Sequence, residues 1–269
     1  MTPWRIIGLC VVLWFGTWAC ARAPLPREPL ATPPLTRSAE AILQTFEERW
    51  QVVEGLRALG RVSYAGSQGR YSTRETLLWQ RPALLRLEAV TLFGQSSMVL
   101  VAAASRASVY YPQQGVLYEG PSTAKHLARF IGLPLGVEEL AYFLGGYIKP
   151  GPGQPRTRVH YDTDQGAHLL RFLCETGELL QDAWVDPEQL LPVRLIRYNE
   201  EGAVAVDISY ADVRPLTEAF PFPFQLTIAL PLVQAELRIQ FLTVDLNPGL
   251  NPSVFRLSPP EGTRTVPFE

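Results

Sequence analysis

Two stretches in the second half of the chain most constrain what it can fold into. In Val204–Tyr210 the apolar residues Val204, Val206, Ile208 and Tyr210 alternate with Ala205, Asp207 and Ser209. Further on, Leu237, Ile239 and Phe241 alternate with Glu236, Arg238 and Gln240. A period of two sends successive side chains to opposite faces of a pleated strand, so one face is apolar and the other wet. The same period governs the first half, where Tyr71, Leu77 and Trp79 alternate with Arg74, Thr76 and Gln80, and Leu85, Leu87 and Ala89 with Arg86 and Glu88. The runs SSMVLVA, ASVYYP and GVLYEG follow, bounded by turn residues such as Pro112-Gln113-Gln114-Gly115. Together these runs predict about a dozen antiparallel strands, enough to curl into a barrel or half-barrel. No regular strand-helix alternation argues for a parallel sheet.

Helical spacing occurs in three places. Ser38 caps a helix whose apolar positions Ile42, Phe46, Trp50 and Val53 recur at helical intervals and which ends around Gly60. Ser122 caps TAKHLARFI, which stops at Gly132, and Val137–Leu144 forms a second short helix closed by Gly145-Gly146. PGPGQP at 150–155 reads as a loop and YDTDQG at 161–166 as a tight turn.

The N-terminus carries targeting information. Arg5, the apolar run Ile6–Phe15 and the segment Gly16–Cys20 have the order of a secretory signal. The run is shorter than the about 20 apolar residues a spanning helix needs. Ala19 before Cys20 resembles a bacterial lipobox, in which the cysteine is acylated and becomes the first mature residue. Thr17 and Trp18 depart from that pattern, and the alternative is an ordinary signal peptide with an incidental Cys20. Prolines at 24, 26, 29, 33 and 34 favour extended polyproline II, a spacer between anchor and folded body. The expected boundaries are therefore 1–19 signal peptide, 20–37 acylated cysteine and tether, and 38–269 a single folded domain. Cys10 and Cys20 are then spoken for, and Cys174, in HLLRFLC, reads as a buried inert thiol.

Several function classes drop out. A formal charge of -2 supplies no basic field for nucleic acid. There is no G-x-S-x-G, and Gly94-Gln95-Ser96-Ser97-Met98 belongs to a hairpin. His126, His160 and His168 lack ligand spacing, and Asp162 and Asp164 lack the further oxygen ligands of a calcium loop. Neither a metal, a cofactor nor enzyme chemistry is expected. One oddity remains: in Val90-Thr91-Leu92-Phe93-Gly94-Gln95, Gly94 supplies turn chemistry, yet Leu92 and Phe93 put an apolar pair at a hairpin tip.

The order GRVSYAGSQGRYSTRETLLWQRPALLRLEAVTLFGQSSMVL, then IGLPLGVEELAYFLGGYIKPG, resembles the LolA/LolB lipoprotein-carrier superfamily, and within it the LolB-like outer-membrane lipoprotein receptors. The likeness runs from about Trp50 to Gly153. Its pieces are the Gly60-Arg61 strand opening, Trp79 before a short loop, the apolar-Gly hairpin tip, and the run from Gly132 to Gly146. The C-terminal part, ending in Phe255-Arg256-Leu257-Ser258-Pro259-Pro260-Glu261-Gly262, is as similar to related lipoproteins of the superfamily.

The resemblance implies a mainly β (α+β) fold: a half-open antiparallel β-barrel of about 11 strands. It would wrap a hydrophobic cavity, with the N-terminal and mid-chain helices as lid. Candidate lining is Leu77, Trp79, Leu85, Leu87, Ile208, Leu226, Ile228, Leu237, Ile239 and Phe241, with Leu140, Phe143 and Leu144 on the lid. Leu92, Phe93 and Gly94 correspond to a membrane-inserting tip. The implied role is an outer-membrane-anchored periplasmic lipoprotein, monomeric. It takes acyl chains of lipoproteins, or another lipid, from a periplasmic LolA-like carrier and helps insert them. The alternative is an accessory envelope lipoprotein of the same fold, with these residues packed as a filled core.

Overall fold

The structure is a computed structural model, described over residues 37–67, 69–91, 94–103, 105–150, 155–218 and 220–268. These residues all belong to one compact unit. The expected signal segment, Cys20, the expected tether up to residue 36, and Leu92 and Phe93 lie outside the described residues.

Helix α1 spans Ala39–Gln51, with Ser38 as N-cap, its hydroxyl accepting from the Ala41 amide at 3.2 Å. It buries Ala39, Ile42, Phe46 and Trp50 along one stripe. The helix stops well before Gly60. Asn247 holds the break: its side-chain oxygen accepts from the Glu54 and Gly55 amides at 2.8 and 3.1 Å, and its amide donates to Val52 O at 2.7 Å. From Gly55 the chain is already strand, and buried Leu56, Ala58 and Gly60 alternate with exposed Arg57 and Arg61.

Among the described residues fourteen strands form one sheet. The first six are β1 (Gly55–Gly66), β2 (Gly69–Gln80), β3 (Leu84–Val90), β4 (Ser96–Ala102), β5 (Arg106–Tyr111) and β6 (Val116–Pro121). Two helices intervene, α2 (Ala124–Ile131) and α3 (Val137–Leu144). Then come β7 (Arg156–Asp162), β8 (Ala167–Leu173), β9 (Leu179–Val185), β10 (Pro192–Tyr198), β11 (Val204–Thr217), β12 (Phe220–Leu230), β13 (Ala235–Leu246) and β14 (Arg264–Pro267). The spatial order is β14-β6-β5-β4-β3-β2-β1-β13-β12-β11-β10-β9-β8-β7. Two meanders are thus joined where β1 pairs with β13, and the sheet ends at β14 and β7 without closing.

The expectation of about 11 antiparallel strands is corrected in number and in kind. There are fourteen, and β14 runs parallel to β6. No alternation announces a strand of four residues. It is held by Arg264 N donating to Gly115 O, Phe268 N donating to Glu119 O, and the Phe268 ring lying where a Cβ on Gly120 would stand. A short edge strand ending in proline is a poor template for further pairing.

Laid flat, fourteen strands would span roughly 60 Å, whereas a 13-residue helix is about 20 Å long. Yet one hydrophobic cluster takes in Trp79, Val109, Phe172, Leu195 and Ile228 from across the sheet together with buried residues of all three helices. The sheet therefore curls round them. At the centre Trp50 lies 5.3 Å from Trp79, 5.0 Å from Tyr142 and 5.2 Å, stacked, from Tyr147. Arg81 caps this group, its guanidinium donating to the carbonyls of Trp50 and Val53. Trp50 thereby couples α1, β2 and the end of α3. Trp50→Ala is expected to cost about 3–5 kcal/mol, the range for aromatic truncation in a core, as read from chemical denaturation of the purified protein.

Candidate functional site

The helices do not fill the space they cover. Between α2, α3 and the inner face of the sheet lies a cavity of about 500 Å³. Its sheet wall comprises Ala58, Gly60, Val62 and Tyr64 of β1, Tyr71, Glu75 and Leu77 of β2, Leu87 of β3, Met98 of β4, and Leu237, Ile239 and Phe241 of β13. Its helix wall is the stretch Ala128–Leu133 with Leu140 and Leu144. Small residues explain the space. The inward positions at the middle of β1 are Ala58 and Gly60, which present almost no side chain to a volume that larger residues would occupy. Gly132, left-handed at φ 72° as the C-cap of α2, turns the chain away before α3 begins.

Burial grades along the cavity. Leu140 and Leu144 are buried at one end, while Ser67, Tyr71 and Val233 are exposed at the other, which is its mouth. β3 ends toward the same side of the sheet as β1 and β12, and the mouth lies beside the turns that follow β1 and β12. In the last of these, Leu232 and Val233 are 59% and 60% exposed, an apolar pair in open water.

Of the residues expected to line a cavity, Leu77, Leu87, Leu140, Leu144, Leu237, Ile239 and Phe241 stand on its wall. Trp79, Leu85, Ile208, Leu226 and Ile228 are packed into the interior instead. Phe143 is buried beneath the Arg197 guanidinium, 5.1 Å from its ring. At the β3–β4 tip, Gly94 is left-handed at φ 77° and its amide donates to Thr91 O at 3.0 Å, which closes the turn. Leu92 and Phe93 of that tip lie outside the described residues.

Sequence reasoning missed Tyr64, Glu75, Met98 and the pair Leu232-Val233. Glu75 was legible: the frame that sends Leu77 and Trp79 inward sends Glu75 inward too. Leu232-Val233 between two alternating runs repeats the signal noticed at Leu92-Phe93.

Other candidate groups have structural roles. Asp162 Oδ1 accepts from the Asp164 and Gln165 amides at 3.0 and 3.1 Å, closing the turn between β7 and β8, and Oδ2 accepts from Trp184 Nε1 at 2.8 Å. Ser97 donates to Ala89 O across the β3–β4 hairpin. Cys174 is not the buried thiol expected, because β8 ends at Leu173. It is half-buried in the following turn, where the Thr176 hydroxyl at 2.8 Å draws its thiol below the ordinary range. Among the described residues no group of three or more His, Cys, Asp or Glu is placed to hold a metal, and no helix is long and apolar enough to cross a membrane.

No family model matches the chain, and no curated protein matches it. Solved structures do. A LolA superfamily protein from Nitrosomonas europaea matches with a TM-score of 0.59 at 13% identity, covering 82% of this chain and 98% of that one. The chain has the LolA fold. A DUF1329 family protein from Desulfovibrio piger (TM-score 0.58, 12% identity, 82% and 98% covered) shares it. So does a domain named for outer membrane lipoprotein sorting from Vibrio parahaemolyticus (0.57, 13%, 81% and 97%). At these identities the likeness is one of LolA architecture, a curved sheet around helices, and it does not single out the LolB branch.

The sheet wall carries a carboxyl at Glu75. Burial pushes its carboxyl above the usual range, and the hydrogen bond from Thr73 Oγ1 at 2.9 Å only partly opposes this. A carboxyl whose folded pKa is raised favours folding at low pH, and that contribution is lost as pH rises from the unfolded to the folded value. Glu75→Gln, which cannot ionise, should therefore raise the denaturation midpoint at neutral pH. The gain should vanish in acid below the ordinary carboxylate range. Parallel unfolding curves for both proteins at all pH values would contradict this.

Proposed function

We infer that the protein is an envelope lipoprotein that binds acyl chains, of lipoproteins or of another lipid, in the cavity beneath α2 and α3. In this reading it helps insert them into the outer membrane. The observation that carries this is the cavity itself. At about 500 Å³ it falls within the range of small-molecule sites, and its walls are mainly aliphatic and aromatic side chains. On the scale of about 24 cal/mol per Å³ for enclosed voids, leaving such a volume empty costs on the order of 10 kcal/mol, as much as a domain's whole stability. An open mouth relieves that cost by admitting water or a ligand. Acyl chains gain about 0.8 kcal/mol per buried methylene, so an apolar volume of this size competes with a bilayer for part of a chain.

Anchoring and delivery belong to the same reading. Cys20 would carry the acyl anchor, the prolines to 34 would space the body from the membrane, and the protein would sit monomeric on the periplasmic face of the outer membrane. A periplasmic carrier of LolA type would supply the cargo. Leu92 and Phe93, with Gly94 holding the turn, would enter the bilayer interface. The exposed Leu232 and Val233 at the cavity mouth supply a second apolar tip at the same end of the sheet. Each fully buried apolar side chain adds about 1.5–3 kcal/mol of membrane affinity. No covalent step is involved. The competing reading, an accessory lipoprotein with a filled interior, accounts for the packed Trp79, Leu85 and Ile208 but not for the space beside Leu77 and Leu237.

A version lacking residues 1–20 should co-purify with lipid detectable by mass spectrometry. A clean protein that also fails to bind a fluorescent fatty acid sinks the carrier reading. Phe93→Glu and Leu232→Glu should each leave folding and lipid binding intact while slowing delivery to phospholipid vesicles. If circular dichroism shows that either variant unfolds, that residue belongs to the core.

A further inference from the structure

Glu75 is a group that acyl-chain binding does not use. It lies in the inward frame of β2, with Gly60 as its partner on β1 and Ala89 on β3. Neither neighbour is long enough to cover the carboxyl, which faces the cavity beside Leu77. A carboxylate accepts about four hydrogen bonds, and Thr73 supplies one. Among the described residues no lysine, arginine or histidine forms a salt bridge with it. The other charged or titratable side chains on the wall are Tyr64 and Tyr71, on the mouth side of Glu75, and Arg129 on α2. The two tyrosines are cross-strand partners with rings stacked at 4.9 Å, an electron-rich surface along the route inward.

Resting on the acyl-binding reading, we propose that Glu75 is the polar anchor of the cavity and that the preferred ligand is an amphiphile with an ammonium group at the head of its chain. The tail lies toward Leu140 and Leu144, and the ammonium donates to the Glu75 carboxylate. A charged donor suits this position better than a hydroxyl, because a desolvated carboxylate is compensated most fully by an opposite charge. Ammonium beside acyl chains occurs in aminophospholipids and at the free α-amino end of a diacylated cysteine.

The test uses the full chain and displacement of a fluorescent fatty acid by dodecylamine or dodecanol at about pH 8, where the amine is charged. The amine should bind about tenfold more tightly or better. Glu75→Gln should abolish that preference and leave dodecanol binding within about twofold. In the wild type the preference should also fade as pH falls and the carboxyl, raised by burial, takes up its proton. Equal binding of the two by the wild type, or a preference that survives in Glu75→Gln, overturns the proposal while leaving the cavity reading in place. Binding of neither overturns both. Displacement of dodecylamine by short-chain phosphatidylethanolamine, or by a diacylated lipopeptide with a free α-amine, identifies the source. Displacement by neither counts against an ammonium ligand.

Discussion

The pairing of β1 with β13 is the contact on which the rest of this structure depends. It joins residues about as far apart in sequence as Leu56 and Leu246, and it turns two separate meanders into one sheet. Within each meander the pairings are local, apart from β14, which returns from the C-terminal end to β6. The cavity wall needs both, because Ala58, Gly60 and Val62 come from one meander and Leu237, Ile239 and Phe241 from the other. The irregularity in the ladder falls between Leu59 and Gly60, beside the space under the helices. Asn247 adds a fastening at the end of the same ladder by bonding the residues between α1 and β1. Closing so long a loop carries an entropic cost, which the contacts of the joined sheet offset.

How far the sequence revealed this depends on the length of each pattern. Alternation over five or more residues, as in Val204–Tyr210 or Leu85–Ala89, identifies strands and their inward face correctly. Glycine caps place the ends of α2 and α3. The end of α1 was misjudged because Val53 continues the helical spacing, although Leu56, Ala58 and Gly60 already alternate with Arg57 and Arg61. β14 could not be found from four residues, since its reason for being a strand lies in the edge of β6. The mainly β character and the helical cover were thus readable, while the strand count and the parallel edge were not.

The site was less readable than the fold. Inward alternation gives the same mark to Leu77, which faces space, and to Ile208, which is packed. The difference lies in what stands opposite, and that depends on Ala58 and Gly60 being small and on where α2 stops. Glu75 is the opposite case, a local breach of the apolar pattern that the sequence displays openly. A chain selected only for stability has little use for an acidic group on such a wall, and groups of this kind cluster where binding or chemistry occurs.

The path from β6 to β7 has a consequence for how the cavity is covered. These strands stand at opposite sides of the sheet, and the segment between Pro121 and Arg156, with α2 and α3 within it, bridges from one to the other. It works as a strap rather than as a hinged door, because both of its ends are sewn into the sheet. The helix wall of the cavity, Ala128–Leu133 with Leu140 and Leu144, is therefore carried on chain that is fixed at both sides of the sheet.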